Sequence, residues 1–307
     1  MFRTFRFNNV LLLLLCGLFL ITCTKDLNLD FSNTDKKLII NGRFAANKTF
    51  KIALTTSRNI LDPESKIERV SDAYVAIKND EGKILEVLQE YNNLGLYVST
   101  DSLKAYQGNT YHLEVTHPNW SGTVFTASSS APEISNMSII DTNHVFIDNA
   151  PALKVGVLID DLHNLNDKYV FEVELKEKGV LAQLMIENPD EKDVKIFGDK
   201  MSPTRLFLGD ANFNGSQKNL DFFTKQGIPN DTSQVAGKGI TEIRMMNVSQ
   251  ELYNYYKSLE EYQLAQKTIG SGNSSAVRVF SNIKRSGVDN GLGIFAGYNV
   301  KSLTYTY

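Results

Sequence analysis

Apolar and polar positions alternate in short runs along most of the chain, which is the pattern of β-strands that bury one of their two faces. The alternation is clearest over residues 38–44 and 50–55. Turn-forming residues separate the runs about every 8 to 12 residues, which favours β-sandwiches over units of alternating strand and helix. Further strands are predicted over residues 73–78, 83–88, 96–99, 111–116, 123–127, 152–159, 169–175, 180–186, 205–208, 240–248, 277–282, 291–298 and 303–307.

One hairpin and one helix stand out from this pattern. Residues 73–78 run into a polar turn that ends at Gly82, and residues 83–88 follow, so we predict an antiparallel pair with Gly82 at positive φ. Ser249 suits the N-cap of an amphipathic helix over about 249–268, because apolar and aromatic residues recur there at helical spacing. Its tyrosines offer a surface for stacking a ligand, but packing of the helix on a sheet explains the same stripe more simply.

The strand pattern is interrupted at Ser128-Ser129-Ser130-Ala131-Pro132, where small residues and a proline replace it. We therefore predict two domains in a mainly β chain. Residues 37–131 are expected to form a β-sandwich, Ig-like or carboxypeptidase-regulatory-like. Residues 132–307 are expected to form a second β-rich domain that contains the amphipathic helix.

The N-terminus has the pattern of an exported protein. Two arginines and no acid precede an apolar run over residues 10–21, which is shorter than the ~20 residues that a membrane-spanning helix needs. The run ends at Leu20-Ile21-Thr22-Cys23, which resembles the lipobox of bacterial lipoproteins, although Thr22 is bulkier than the residue usual there. An ordinary secretory signal or an uncleaved anchor is the alternative. We predict a signal peptide over residues 1–22, acylation of Cys23, and a polar tether over residues 23–36.

Composition and charge narrow the choice of partners. The chain has 32 Lys and Arg residues against 35 Asp and Glu, a formal net charge of −3, and no long basic run. Nucleic acid is therefore not expected as a partner, because phosphate binding needs a concentrated positive face. Both cysteines, Cys16 and Cys23, lie near the start, so neither a disulfide scaffold nor a cysteine-rich zinc fold is expected.

Candidate chemistry is sparse, and its best-spaced motif is a calcium-like loop. Asp210, Asn212, Asn214 and Gly215, followed by Asp221, match the spacing of an EF-hand loop. Three features oppose this interpretation: an aspartate replaces the bidentate glutamate, a lysine stands at the water-bridging position, and no paired helices flank the loop. A hairpin turn explains these residues better, so we expect no metal and no cofactor.

Two other segments carry reactive or aromatic residues. The acidic loop over residues 160–167 contains His163, but a solvated turn between two strands accounts for it without a metal. Trp120 stands between two predicted strands, where it either stacks on a ligand or caps the end of the sandwich. No catalytic residue is assigned, because the chain has neither a G-x-S-x-G motif nor a P-loop.

The lipobox and six further stretches together carry a resemblance to a known family. The six stretches are AYV at 73–75, DEG at 80–82, GNTYHLEV at 108–115, YNYYKSL at 253–259, FSNI at 280–283 and GLGIFAGY at 291–298. With the lipobox, they are similar to the Bacteroidota lipoproteins known as domain of unknown function 4249 (DUF4249). The resemblance implies an accessory lipoprotein encoded beside a TonB-dependent outer-membrane receptor, and it implies no catalytic residues.

The favoured functional hypothesis is a non-enzymatic lipoprotein of the outer membrane, held to membrane lipid through Cys23. It would dock on a TonB-dependent transporter or deliver an unknown ligand to it. An envelope hydrolase acting on glycans is the alternative, and a structural or adhesive surface module is a third. The sequence leaves open whether the protein faces the periplasm or the cell surface.

Overall fold

The computed structural model describes the greater part of the chain. The predictions for the signal peptide, for Cys23, for the tether up to residue 35 and for His163 fall outside the described residues. The fold discussed below is that of the compact unit formed by Lys36–Ser57 and Lys66–Tyr307. The described residues are 36–58, 66–100, 103–147, 150–162, 166–186, 192–200, 202–225, 240–267 and 277–306.

Nineteen strands make up most of the described chain. The first, β1 (Leu38–Ala45), shows the predicted alternation: its even-numbered residues from Leu38 to Phe44 are buried, whereas Asn41 and Arg43 are exposed. The others are β2 (Lys51–Thr56), β3 (Tyr74–Lys78), β4 (Ile84–Val87), β5 (Gln89–Glu90), β6 (Leu96–Val98), β7 (Thr110–Thr116), β8 (Phe125–Ser130), β9 (Asn136–Ile147), β10 (Ala150–Asp160), β11 (Lys168–Leu175), β12 (Val180–Leu181), β13 (Gln183–Ile186), β14 (Val194–Lys195), β15 (Leu206–Gly209), β16 (Gln217–Lys225), β17 (Ile240–Val248), β18 (Lys284–Arg285) and β19 (Leu292–Thr306).

The helix α1 (Gln250–Lys267) is the single α-helix of the described residues, and it begins where the sequence predicts. The hydroxyl of Ser249 accepts a hydrogen bond from the N–H of Leu252 at 3.3 Å, and its carbonyl oxygen accepts one from the N–H of Tyr253 at 3.0 Å. Ser249 therefore acts as the N-cap. Within the described ranges, no helix is both long enough and apolar enough to cross a bilayer.

The strands form three sheets. The largest has ten strands in the order β14-β15-β11-β17-β19-β1-β2-β6-β5, with β12 beside β11. A four-stranded sheet has the order β13-β16-β10-β9, and a five-stranded sheet has the order β18-β8-β7-β3-β4. Strand β19 joins the two halves of the ten-stranded sheet, because residues 292–298 pair in parallel with β1 and residues 298–306 pair antiparallel with β17.

Both smaller sheets pack on one face of the ten-stranded sheet and give two sandwich cores. In the first core, the rings of Phe44 and Phe295 lie 4.8 Å apart and those of Phe50 and Tyr111 lie 5.0 Å apart. The second core lies between the four-stranded sheet and strands β11, β15 and β17. Alternate residues of β19 reach both cores, since Phe295 belongs to the first and Leu303 packs against the second.

The helix α1 covers part of the opposite face of the ten-stranded sheet. Even-numbered residues of β19 point to this side, and they pack with the helix in a third apolar cluster. Where the helix does not cover the sheet, that face carries charged side chains. The fully or nearly fully buried members of the third cluster are Val170, Phe207, Met246, Val248, Leu252, Tyr256, Ile294 and Ala296.

The structure confirms the predicted fold class, which is mainly β with sandwich packing and one helix in the described chain. The predicted hairpin is also present: β3 pairs antiparallel with β4, and Gly82 has a φ of 78°. The domain boundary after residue 131 stays a prediction. The structure adds that Ile283 and Phe295, which follow that boundary in sequence, belong to the core of the first sandwich.

Several segments differ from the predicted strands: β16 lies outside every predicted strand, and the strands predicted over 291–298 and 303–307 form the single strand β19. Residues 277–282 form no strand; the side chain of Asn282 instead accepts a hydrogen bond from the N–H of Phe295 at 2.9 Å and donates one to its carbonyl oxygen at 2.7 Å, as a neighbouring strand would. Strand β9 is absent from the prediction because most of its side chains are exposed, so no apolar alternation marks it. The predicted strand over 180–186 divides into β12 and β13, which pair in different sheets.

Parallel pairing of β1 with β19 requires a close backbone approach at Gly293, and this gives a first test. Gly293 has a φ of +116°, and a Cβ atom placed on it would overlap the carbonyl oxygen of Ile40 in β1. We expect Gly293→Ala to lower the free energy of unfolding by roughly 3 kcal/mol or more, because strand pairing and backbone strain are affected together. Urea unfolding followed by far-UV circular dichroism measures the loss.

Gly287→Ala is the matched control for this test. Gly287 also has a positive φ, +80°, but a Cβ atom there meets nothing within 4 Å. Its substitution should cost only the backbone strain, about 1 kcal/mol. Equal losses in the two variants would show that the close approach to β1 is not what requires a glycine at position 293.

Candidate functional site

Two acidic loops that lie far apart in the sequence meet at one edge of the second sandwich. Asp161 follows β10, Asp167 precedes β11, and Asp210 follows β15. One carboxylate oxygen from each lies within 4.8 Å of the other two. The pairing of β11 with β15, in which Lys168 lies opposite Gly209, brings the second and third of these residues together. We call these three residues the aspartate cluster.

Hydrogen bonds from two backbone N–H groups and one tyrosine hydroxyl hold the aspartate cluster in place. The carboxylate of Asp161 accepts from the N–H of Gly215 at 2.8 Å and from the hydroxyl of Tyr169. The carboxylate of Asp210 accepts from the N–H of Asp167 at 2.9 Å. The side chains of Asp161 and Asp210 are 8% and 1% exposed, so these bonds replace water that the fold removes.

Burial makes the charge of this cluster costly. Burial is the main cause that raises the pKa of Asp167 to about 7, and the neighbouring charges of Asp161 and Asp210 add to it, while Lys168 opposes it. The Oδ2 atom of Asp167 is buried and has no hydrogen-bond partner among the described residues. A bound proton lowers the charge of the cluster; the same oxygens are also of the type that holds a divalent cation such as Ca²⁺.

The predicted calcium-like loop is only partly gathered at this site. Asp210 belongs to the aspartate cluster, and the Oδ1 atom of Asn214 is buried without a partner in the described part of the chain. Asn212 is exposed, and its amide donates to Asp193. Asp221 lies within β16 opposite Gly156, between the buried Leu220 and Phe222, so its side chain points to the outer face of the four-stranded sheet.

The turn that follows Asp210 also differs from the expected hairpin. It connects β15 of the ten-stranded sheet with β16 of the four-stranded sheet, so it passes from one layer of the sandwich to the other. The acidic loop before β11 likewise connects the two layers, because β10 belongs to the four-stranded sheet. Two such crossings at one edge explain why acidic residues distant in sequence meet there, which periodicity alone does not predict.

Trp120 lies in a 3₁₀ turn over Pro118–Trp120, between β7 and β8. Its indole packs against the first core, with its ring 5.2 Å from that of His117 and 6.5 Å from that of Phe125. This is the arrangement of a side chain that caps the end of the sandwich. A role for Trp120 in binding a ligand stays a prediction.

A charged cavity of about 610 Å³ lies on the other face of the ten-stranded sheet, beside α1. We call it the arginine cavity. Sequence reasoning missed it, although a signal exists: β11 and β17 are strands rich in buried residues, and both carry charges at alternate positions, Glu172 and Glu174 in one, Glu242 and Arg244 in the other. Its arginines and tyrosines are Arg43, Arg205, Arg244, Tyr256 and Tyr298.

Arg205 occupies the inner part of this cavity between two carboxylates. Its Nε atom lies 2.6 Å from Glu172, and its Nη1 atom lies 2.6 Å from Glu260. Its guanidinium also lies over the ring of Tyr256, 4.7 Å from the ring centre. Glu172 and Glu260 are 6% and 8% exposed, so Arg205 is shared by two buried carboxylates and connects α1 with the sheet.

The other acidic side chains of the cavity are paired in the same way. Arg244 donates from Nη2 to Glu174 at 2.7 Å, although its buried Nε atom has no partner within the described ranges. Lys176 forms an ion pair with Glu242, and this hydrogen bond lowers the pKa of Glu242. Arg43 differs from the other arginines, because its hydrogen bond is to a neutral group, the hydroxyl of Tyr256, at 2.9 Å.

The chain matches the family model described as "Domain of unknown function (DUF4249)" over residues 24–304. No curated protein matches it. Similar solved structures include the major pilin subunit BcpA of Bacillus cereus, at 10% identity over 70% of this chain and 65% of that chain, with a TM-score of 0.21. A mutant of Salmonella alpha-2-macroglobulin aligns at 10% identity over 87% of this chain and 15% of that one, with a TM-score of 0.21.

A third structure is the BSP domain of a biofilm-associated protein, at 8% identity over 87% of this chain and 58% of that one, with a TM-score of 0.23. The chain therefore spans less than two thirds of the length of each of these three proteins. At such TM-scores the similarity carries no argument about function.

The aspartate cluster predicts a specific pH dependence of stability. The folded protein keeps a proton on Asp167 that the unfolded chain releases above about pH 4, so the free energy of unfolding should fall as the pH rises from about 4 to about 7. Asp167→Asn should reduce this slope and should be more stable than the wild type near about pH 8. Urea unfolding in a buffer that contains a chelator measures both effects.

Asp289→Asn is the control, because Asp289 has a side chain that is 83% exposed and lies outside the cluster. This variant should keep the wild-type dependence on pH. If Asp167→Asn also keeps it, the proton is not held at this cluster.

Proposed function

Because the chain belongs to the DUF4249 family, we propose that it is a lipid-anchored envelope protein that binds a partner and catalyses no reaction of its own. The observation that carries this proposal is the sequence Leu20-Ile21-Thr22-Cys23 at the end of an apolar run with two arginines before it. Acyl chains on Cys23 would be the anchor, and the outer membrane would be the site. The proposed function is therefore one of binding and delivery at a membrane surface.

The energetics of such an anchor are favourable. Each methylene group buried in the bilayer contributes about 0.8 kcal/mol, and two or more acyl chains on one cysteine make attachment effectively permanent. The 14 residues from Cys23 to Lys36 span at most about 45 Å when fully extended. An anchor of this kind keeps the folded unit close to the membrane without inserting it.

In the arginine cavity the arrangement of charges favours binding over catalysis. A hydrolase that acts on glycans needs a general acid with a raised pKa beside a second carboxylate. In this cavity the pKa of Glu242 is lowered instead, and Glu172 and Glu174 are each paired with an arginine. Carboxylates held in ion pairs are poorly placed to transfer a proton.

The partner proposed is a TonB-dependent receptor of the outer membrane in a member of the Bacteroidota. The similarity of the sequence to accessory lipoproteins encoded beside such receptors supports this choice. A protein bound to the same membrane as its receptor needs less intrinsic affinity, because the shared membrane raises the effective concentration of each for the other.

The anchor is tested by replacing the acylated residue. Cys23→Ala should move the protein from the membrane fraction to the soluble fraction of the envelope, because no thiol remains for acylation next to the cleavage site. Fractionation with a carbonate wash and mass spectrometry of the N-terminal peptide measure the change. Cys16→Ala is the matched control: it removes the other cysteine of the chain and should leave the protein in the membrane. Full membrane retention of the Cys23 variant would contradict the proposal.

The partner is tested by affinity purification of the lipid-anchored protein from its native envelope in mild detergent. We expect a TonB-dependent receptor to be enriched in near-stoichiometric amount, because a specific interface of standard size, about 1,600 Å² of buried surface, holds two proteins in a stable complex. An unrelated tagged lipoprotein from the same membrane is the control for co-solubilisation. Enrichment of no outer-membrane receptor above that control would refute the proposed partner.

A further inference from the structure

We propose that the arginine cavity binds a small molecule that bears a single carboxylate, and that Arg43 is the residue that holds this carboxylate. The proposal concerns a site within the folded unit. It therefore stands whether or not the chain is acylated and whether or not it binds a receptor. The proposal depends on which arginines of the cavity are already bonded to a carboxylate and which one is not.

Arg43 is the cation of the cavity that lacks an acidic partner among the described residues. It lies on β1 and is exposed. Arg205 and Arg244, in contrast, each form ion pairs with glutamates of the same cavity. A guanidinium carries five N–H donors, and the bond from Nη1 of Arg43 to the hydroxyl of Tyr256, at 2.9 Å, uses one of them. The remaining donors are available to a ligand.

The bond to Tyr256 also prepares Arg43 for binding. It connects a side chain of the sheet with a side chain of α1, and it therefore restricts the guanidinium to one part of the cavity wall. Tyr256 is itself fixed, since it is buried beneath Arg205. A planar donor group that is already oriented loses less conformational entropy when it binds a carboxylate in bidentate fashion.

The acidic side chains of the cavity limit the charge of the ligand. Glu172, Glu174 and Glu242 line it, and each forms an ion pair with one of the cations described above. A ligand with two or more negative charges, such as a phosphate monoester, would find a single free cation and would face these carboxylates. A single carboxylate matches the one free guanidinium.

The size and the walls of the cavity indicate a ligand of sugar or dipeptide size. Its volume of about 610 Å³ falls within the range of small-molecule sites. Tyr298 provides aromatic surface beside Arg43, and Val300 and Ser302 continue the wall along β19. Aromatic and hydroxyl groups next to a guanidinium suit either a uronic acid or the C-terminal end of a short peptide, which share the carboxylate.

Isothermal titration calorimetry with defined probes tests the proposal. The carboxylate probes are galacturonate and the N-acetylated dipeptide Ala-Ala, which each carry one negative charge, and their neutral counterparts are galacturonate methyl ester and N-acetyl-Ala-Ala amide. We expect at least one carboxylate probe to bind the wild-type protein, and its neutral counterpart to bind about tenfold more weakly or not at all. Binding of galacturonate alone identifies a uronate site, and binding of the dipeptide alone identifies a peptide C-terminus.

Two substitutions locate the binding group. Arg43→Gln should weaken binding about tenfold or more, because the charged fork is lost, whereas Arg285→Gln should bind as the wild type does. Arg285 is exposed on β18 and lies outside the cavity. Thermal unfolding checks that both variants fold. If Arg43→Gln does not fold, Arg43→Lys replaces it, since it keeps the charge but loses the bidentate geometry and should also bind more weakly.

Three results would overturn the proposal. One is that neither carboxylate probe binds the wild-type protein at concentrations up to about 10 mM. A second is equal binding of the carboxylate and neutral probes. The third is unchanged binding in the Arg43 variant. In each case Arg43 would be a structural clamp between β1 and α1 and not a ligand-binding residue.

Discussion

The whole fold depends on the double pairing of strand β19. Its first half adds to β1 in parallel, and its second half adds to β17 in antiparallel fashion; the two pairings share Tyr298. The strand therefore makes one ten-stranded sheet from segments at opposite ends of the folded chain. The backbone of Gly297 contacts both the five-stranded sheet and the start of α1. Its N–H donates to the hydroxyl of Ser129 in β8 at 3.2 Å. Its carbonyl oxygen accepts from the N–H of Ser249, the N-cap of α1, at 3.0 Å. A side chain at Gly297 would overlap the carbonyl oxygen of Ser130, so the five-stranded sheet, the helix and β19 meet where glycine is required.

The same strand determines where the polar sites can form. Residues that alternate along β19 face the two sandwich cores on one side and the helix on the other. The helix covers only part of its side, so the remaining area of that face is open to water and carries charges. Partial burial then requires these charges to be paired, because an isolated charge out of water costs several kcal/mol. The arginine cavity follows from a helix that is shorter than the sheet it covers.

A larger part of the fold than of the two charged sites could be predicted from the sequence. Alternation identified β1, β10, β11 and β17 to within a residue or two, and the cap at Ser249 identified the start of α1. Exposed strands such as β9 were not predicted, because apolar alternation indicates burial and not hydrogen bonding.

The order of strands in the sheets was not predictable, since it depends on contacts between distant residues. The aspartate cluster and the arginine cavity are products of that order. Asp167 and Asp210 meet because β11 pairs with β15, and Arg43 reaches Tyr256 because β1 pairs with β19.

At both charged sites burial makes an unpaired charge costly, and the two sites reduce that cost in different ways. At the aspartate cluster, three like charges are brought together among backbone donors, and burial raises the pKa of Asp167, so a proton is the simplest means of lowering the charge. At the arginine cavity, charges of both signs are present and form ion pairs, whereas Arg43 has a neutral partner. The first site is complete once it holds a proton or a cation, and it therefore responds to pH. The second site has a donor group that nothing in the described fold completes, and a site of that kind is one that a ligand from outside can complete.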